Sequence, residues 1–216
     1  MPRRRWHLGR WFIVLMVGTL GWVGWTAYAY RSAISQARAL GWRVEHTDPV
    51  ERIRKNWRSA FEKETWLDGV TLLNIPTSQE FEQHLDIVHR LDPMGLQINA
   101  PSTMRDLSAL IPLKRLKGVA VFGATGLTNV DVLKNLPALE DVWLSGCTGL
   151  TNVDALKNLT ALKVIWLDGC TGLTNVDVLK NLPALKRVGL YGCRGLKEES
   201  IKALKAALPK TTITGP

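Results

Sequence analysis

The stretch Leu127–Leu139 reads LTNVDVLKNLPAL, and it recurs unchanged as Leu173–Leu185. With two substitutions it is also Leu150–Leu162, so each copy follows the previous one by 23 residues. A fixed period of roughly 20 to 50 residues is typical of repeat proteins, in which stacked units share one continuous core. The sequence therefore predicts a solenoid built from near-identical coils.

Each coil also contains the tract Leu-x-Gly-Cys-x-Gly-Leu, which begins at Leu144, Leu167 and Leu190. Together with the residues before it, one unit reads Leu-x-x-Val-x-Leu-x-x-Cys-x-x-Leu from Leu139 to Leu150. This unit resembles the leucine-rich repeat, and its two residues between cysteine and the last leucine resemble the cysteine-containing subtype. The resemblance implies an α/β solenoid with short parallel strands on the concave face and short helices on the convex face.

The resemblance is specific over residues 113–196 and extends less regularly over residues 70–216, which we take as the repeat domain with about seven strands. Within one unit, Val142 and Leu144 alternate with polar or aromatic neighbours, as in a strand with one buried side. We expect Thr151 to cap the following helix, with Asp154 completing a capping box.

The inward positions of that helix are Val153, Leu156 and Leu159, which follow one another at helical spacing. The last unit differs, because Lys197–Leu208 reads as a longer helix. A final strand near Ile213 is expected, placed one 23-residue step after Leu190.

The outward strand positions differ between coils and form the candidate binding surface. Its residues are Phe122, Asp141, Trp143, Val164, Trp166, Asp168, Arg187 and Tyr191. An exposed aromatic cluster flanked by charges is typical of a protein interface. We therefore predict a protein or peptide ligand anchored by Trp143 and Trp166. Three alternatives stay open: the tryptophans were copied with the repeat, a covering loop or helix hides them, or they stack on a polysaccharide.

Residues 11–30, WFIVLMVGTLGWVGWTAYAY, contain no charge. About twenty apolar residues suffice to cross a bilayer, and aromatic residues lie at both ends, as interfacial anchors do. Four arginines in residues 1–10 favour a cytoplasmic tail and an extracytoplasmic repeat domain. The alternative is a signal peptide cleaved after Ala29, since Ala27-Tyr28-Ala29 fits the small-residue pattern, and the protein would then be secreted.

Residues 31–69 form a helical connector and N-terminal cap. A helix is predicted to begin at Asp48-Pro49 and to place Val50, Ile53, Trp57 and Phe61 on one apolar face. We expect this face to cover the first edge of the solenoid. Contact with anionic lipid is the alternative, through a set of basic side chains: Arg52, Arg54, Lys55 and Arg58.

The net charge of +9 lies almost wholly in residues 1–60, which carry +8, whereas residues 61–216 carry +1. A nucleic-acid-binding domain is expected to carry its basic residues as a patch on folded structure, so we predict no nucleic-acid partner. The alternative function is a structural or spacer component of the cell envelope. We do not expect an enzyme.

Cys147, Cys170 and Cys193 stand 23 residues apart and are predicted to stack as buried small side chains whose S–H groups meet loop carbonyls. Three thiols in a line do not make a tetrahedral metal site. His84 and His89 are five residues apart, which does not place them on one helix face as a ligand pair. The sequence therefore indicates no metal, no cofactor and no catalytic motif.

Overall fold

The computed structural model describes residues 28–46, 70–76, 78–99 and 104–215. These residues form one eight-stranded sheet whose strands follow one another in chain order. The strands are β1 (Arg43–His46), β2 (Val70–Ile75), β3 (Gly95–Asn99), β4 (Gly118–Phe122), β5 (Asp141–Trp143), β6 (Val164–Trp166), β7 (Arg187–Gly189) and β8 (Thr212–Thr214). The seven strands from β2 to β8 are parallel, as the leucine-rich-repeat interpretation requires.

The register of the sheet confirms the 23-residue period. Leu96, Val119, Val142, Ile165 and Val188 lie side by side on successive strands. Their side chains are buried, and so are the inward side chains of the segments that connect the strands. Together they form a single hydrophobic core. A single coil cannot enclose its own apolar side, so each coil is stabilised chiefly by its two neighbours.

The convex segments are 3₁₀ helices, and they are capped differently from our prediction. They span Asp131–Asn135, Asp154–Asn158 and Asp177–Asn181. Thr151 makes no cap; instead the Oδ1 atom of Asn152 accepts a hydrogen bond from the Asp154 backbone N–H at 3.2 Å. The short asparagine side chain reaches the N–H two residues ahead, which suits a tight turn better than a capping box does.

The final coil departs from the 23-residue step. Val188 pairs with Ile213, 25 residues later, so Ile213 does not lie opposite Leu190 as predicted. The cause is the α-helix Glu198–Ala207, here α4, which replaces the 3₁₀ segment of the other coils. An α-helix rises about 1.5 Å per residue against about 2.0 Å for a 3₁₀ helix, so more residues cover the same arc.

The N-terminal edge of the solenoid is covered by a helix over residues 28–39, here α1, and by the antiparallel strand β1. Ala33, Ile34 and Ala37 of α1 are buried in the solenoid core. Gly41, at φ 77°, reverses the chain from α1 into β1. Residues 28–46 therefore pack on the first coil. The sequence instead predicted that the covering helix begins at Asp48-Pro49, within a connector and cap over residues 31–69.

Two short helices, α2 (Ser78–Gln83) and α3 (Leu85–Leu91), follow β2. They complete the cap, because the Nε1–H of Trp42 donates to Glu80 Oε2 at 3.0 Å and Trp42 meets the ring of His84 edge-on. The predicted helix near residues 49–64, with Arg52, Arg54, Lys55 and Arg58, lies outside the described residues, as do residues 11–27 of the apolar segment. Among the helices that the structure describes, none combines the length and the apolar composition needed to cross a bilayer.

Candidate ligand-binding face

The outward side chains of the parallel strands form three rows across the concave face. The first row contains Gly118, Asp141, Val164 and Arg187, and the middle row contains Ala120, Trp143, Trp166 and Gly189. The third row contains Phe122, Ser145, Asp168 and Tyr191. Backbone hydrogen bonds hold this row in register, because the N–H groups of Gly123, Gly146 and Gly169 each donate to a carbonyl of the next coil. The structure thus brings seven of the eight predicted site residues onto one surface, and Val164 is the exception.

Trp143 and Trp166 form a tilted stack at the centre of this face. Their ring centroids are 5.7 Å apart and their planes meet at 40°. Trp166 in turn lies over Gly189, because a Cβ atom added to Gly189 would stand 2.0 Å from Trp166 Cε3. The absence of a side chain at Gly189 therefore leaves room for the six-membered ring of Trp166 against the next coil.

The two tryptophans differ in exposure although they occupy equivalent positions. Trp143 is 38% exposed, whereas Trp166 is half-buried between Trp143 and Gly189. The indole N–H of Trp166 is enclosed and has no hydrogen-bond partner among the described residues. Trp166 is thus held by ring packing and supports Trp143, which offers the larger surface to a ligand.

Val164 is the predicted site residue that the structure places differently. Its exposure is 5%, so it contributes little surface to a ligand. Within its row it lies between Asp141 and Arg187, and along its own strand it precedes Trp166. Neighbouring strands are only about 4.8 Å apart. The side chains of Asp141, Arg187 and Trp166 therefore surround the isopropyl group of Val164.

The C-terminal part of the face is the more exposed. Tyr191 is 75% exposed, and Arg187 is also exposed. Asp168 is fixed across the coils, because its Oδ1 atom accepts a hydrogen bond from the Tyr191 backbone N–H at 2.7 Å. This bond positions the turn that carries the Tyr191 ring.

A row of charged side chains borders the face where the strands begin. Glu140 makes ion pairs with Lys163 and, at 3.7 Å, with Lys117. The hydrogen bond from Lys163 is the main cause that lowers the pKa of the Glu140 carboxyl. Asp141, the next residue, has no ion pair within the described residues, so its carboxylate stays available to a ligand.

The three cysteines lie in the core behind the face, as predicted. The Sγ atoms of Cys170 and Cys193 donate to the carbonyls of Leu144 and Leu167, each at 3.0 Å. Burial raises the pKa of Cys170 to about 12 and the pKa values of Cys147 and Cys193 to about 11. Thiols so far from ionisation are poor nucleophiles and poor metal ligands.

The described parts of the chain also contain no cluster of three or more His, Cys, Asp or Glu side chains arranged to hold a metal ion. His89 is committed elsewhere, because its Nε2 atom lies 3.0 Å from the carbonyl oxygen of Ala109.

Sequence reasoning missed the small residues of the face. Gly189 makes room for the Trp166 ring, and Ala120 is the small neighbour of Trp143 on the next strand, but a residue without a large side chain does not attract notice in a search for binding groups. The available signal was the change of residue size within one row, from Ala120 to Trp143 and from Trp166 to Gly189.

Parallel strands in 23-residue register, inward leucines and convex 3₁₀ segments together define a leucine-rich-repeat fold. No protein-family model matches the chain, and no curated protein matches its sequence. Among solved structures, internalin C2 from Listeria monocytogenes is similar with a TM-score of 0.45 and 20% identity, over 69% of this chain and 72% of internalin C2.

Two further solved structures are similar over shorter shares of their own length. An internalin from Listeria monocytogenes gives a TM-score of 0.37 and 16% identity, over 74% of this chain and 54% of that one. A leucine-rich-repeat protein from Leptospira interrogans gives 0.22 and 11%, over 60% and 56%. The chain thus spans about half the length of these two, and the fold assignment stands on its own register rather than on the likenesses.

Proposed function

We propose that this protein is a membrane-anchored binding module that recognises a protein or peptide through its concave face. The observation that carries the proposal is the Trp143–Trp166 stack, which lies at the centre of the strand face with Trp143 open to solvent. Large aromatic side chains surrounded by polar groups are the commonest anchors of protein interfaces. The proposal is one of recognition, because what the concave face offers is aromatic and charged surface.

The rows of the face support a peptide or protein over a featureless spacer. Along the face the side chains change from aromatic to acidic to basic, whereas the three convex 3₁₀ segments differ only in Ala155, which replaces Val132 and Val178. A spacer element requires only that the coils stack, and stacking is already secured by the buried leucines. The differences on the concave face therefore have no structural purpose in a spacer.

Anchoring is proposed through residues 11–30, with the N-terminus in the cytoplasm and the repeat domain outside. Residues 28–30 of this segment lie in α1 and Tyr30 packs against the solenoid core, so no linker separates the apolar segment from the folded domain. The domain would then be held close to the membrane surface. Cleavage near Ala29 is the alternative; it would leave Ala33, Ile34 and Ala37 in place and release the same binding face into the medium.

The recognition proposal is tested by cross-linking in intact cells. We expect Trp143→Ala/Trp166→Ala to lose the partners that the unaltered chain captures, because truncation removes the anchor and its support. The matched control is Lys134→Ala/Lys157→Ala, which changes two exposed convex residues and should keep every partner. A double-tryptophan variant that folds normally and keeps every cross-linked partner would end the proposal.

The orientation is tested by a reporter fused after Pro216 that is active only outside the cytoplasm. Activity is expected, and inactivity would place the repeat domain in the cytosol. The anchor is tested separately by the mass of the mature chain, since cleavage after Ala29 removes 29 residues.

A further inference from the structure

The concave face contains a gap on the N-terminal side of the tryptophan stack. Trp166 lies against Gly189 and Trp143 stacks on Trp166, and the neighbour of Trp143 on its other side is Ala120 of β4, with which it pairs. The side chain of Ala120 is a single methyl group. Gly118 lies on the same strand as Ala120, pairs with Asp141 and has no side chain.

The space above Gly118 is open. A Cβ atom added there would have one neighbour within 4 Å, the Cβ atom of Asp141 at 3.9 Å. In β5, β6 and β7 at least one of the two equivalent positions carries a large or long side chain. Gly118 and Ala120 are therefore the floor of a slot, with Trp143 and Asp141 along one side, Gln97 of β3 along the other and Phe122 at one end.

The chemistry of the slot favours a cation. An indole face attracts positive charge through its quadrupole, and a carboxylate beside it adds a charge-assisted hydrogen bond. The two lysines that border this edge, Lys117 and Lys163, pair with Glu140 and make no ion pair with Asp141 among the described residues. Arg187 lies two strands away in the same row, with Val164 between them.

We propose that this slot binds an arginine side chain of the protein or peptide ligand. A guanidinium group is planar, so it can lie against the indole of Trp143 while its edge donates to the carboxylate of Asp141. Lysine offers a point charge without the planar surface and binds less tightly. This assignment rests on the proposed recognition function and specifies which side chain the face selects.

The test is selection of random-sequence peptides on the full 216-residue chain. Arginine-containing peptides are expected to be enriched from the unaltered chain and lost from Ala120→Leu, which fills the slot at a half-exposed position. Enrichment of acidic or purely apolar peptides would overturn the arginine assignment and leave the recognition function intact. Failure to enrich any peptide dependent on Trp143 and Trp166 would overturn both.

A selected peptide then provides the decisive comparison, in which its arginine is replaced by citrulline, the neutral group of the same shape. For the unaltered chain we expect citrulline to weaken binding by about fivefold, the effect of one partly exposed charge pair. For Asp141→Asn the two peptides should bind within about twofold of each other, because the interacting charge is gone.

Asp168→Asn is the matched control, since it makes the same change of charge on the same face beyond the stack. Its amide oxygen can still accept the hydrogen bond from Tyr191, so the fold is preserved. The citrulline effect should remain about fivefold in this variant. An equal loss of the effect in Asp141→Asn and Asp168→Asn would contradict the slot, and an unchanged effect in Asp141→Asn would remove Asp141 from it.

Discussion

The convex and concave sides of the same coils differ in how closely they repeat. On the convex side Asp131–Asn135 and Asp177–Asn181 are identical in sequence and form the same 3₁₀ turn. On the concave side the equivalent outward residues of β5, β6 and β7 range from tryptophan to glycine. Both sides enclose one core of buried leucine and valine, so the difference does not come from packing requirements.

The comparison indicates that the repeat supplies a scaffold, and it agrees with the proposal that the outward strand residues provide binding specificity. Changes to the shared core should therefore affect the free energy of unfolding most, and changes on the concave side should affect binding more than folding. Changes to exposed convex residues should affect neither. The variants below test these expectations, from the largest effect to the smallest.

Leu156→Ala should be the most destabilising of these changes. Leu156 is fully buried in the central coil, and truncating such a leucine costs about 2 to 5 kcal/mol, because the cavity closes only in part. Its neighbour Lys157 is exposed, so Lys157→Ala is the control and should change stability by less than about 0.5 kcal/mol. Urea unfolding measures both; similar midpoints for the two variants would contradict the shared-core account.

Gly189→Ala should have the next largest effect and should act on the concave face. The added Cβ would overlap the Trp166 ring, so the indole must move, at a cost of about 1 to 3 kcal/mol. Because Trp143 stacks on Trp166, the displacement should also alter the indole N–H resonances of both residues in NMR spectra. Ala120→Gly, which removes a methyl group on the other side of Trp143, should leave the Trp166 resonance unchanged. An unmoved Trp166 resonance in Gly189→Ala would show that the ring does not depend on this glycine.

Most of the scaffold could be predicted from the sequence, because a repeat reports each inward position several times. The inward register of Val142, the buried cysteines and the seven parallel strands all followed from this redundancy. Residues outside the repeat lacked it. Strand β1 is four residues long and α1 resembles a continuation of the apolar segment, so neither showed that it packs on the first coil.

The candidate face was predictable in position but not in detail. The repeat fixed which side chains point outward, yet the burial of Val164 depends on the side chains in the neighbouring strands. The position of Trp166 likewise depends on an absent side chain at Gly189. Such effects arise between coils and are not visible in the pattern of one coil.

Stability should fall in alkaline solution because of the cysteine ladder. The fold accommodates the neutral thiol, since burial raises the pKa of Cys170 from 9.0 to about 12. Stability from this source is fully present below about pH 9 and is lost as the pH rises towards 12; the loss at pH 10 is about 1 kcal/mol for such a thiol, because only the unfolded chain ionises there.

The check on the alkaline effect is urea unfolding at pH 8 and pH 10, compared with a variant in which Cys147, Cys170 and Cys193 are alanine. Alanine is the appropriate replacement because Ala124 occupies the equivalent buried position one coil earlier. The alanine variant should lose less stability between the two pH values, and an identical loss would show that the thiols do not contribute.

Glu140→Gln should have the smallest effect. The ion pairs of Glu140 are partly exposed, so their removal should cost less than about 1 kcal/mol, and salt should reduce the difference. The pKa of Glu140 is lowered, so its contribution is present at neutral pH and disappears as the pH falls below about 4.5. Unfolding at pH 7 and pH 3, with and without added salt, measures it; a larger loss at pH 3 than at pH 7 would be the wrong sign.

The most direct measurement is photo-cross-linking from single positions on the two sides of the coils in intact cells. A photoreactive side chain is placed at Tyr191 on the concave face or at Lys157 on the convex face, both of which are exposed. The account predicts a discrete adduct from position 191 that disappears with Trp143→Ala/Trp166→Ala, and no such adduct from position 157. An adduct from position 157 alone would contradict recognition by the concave face.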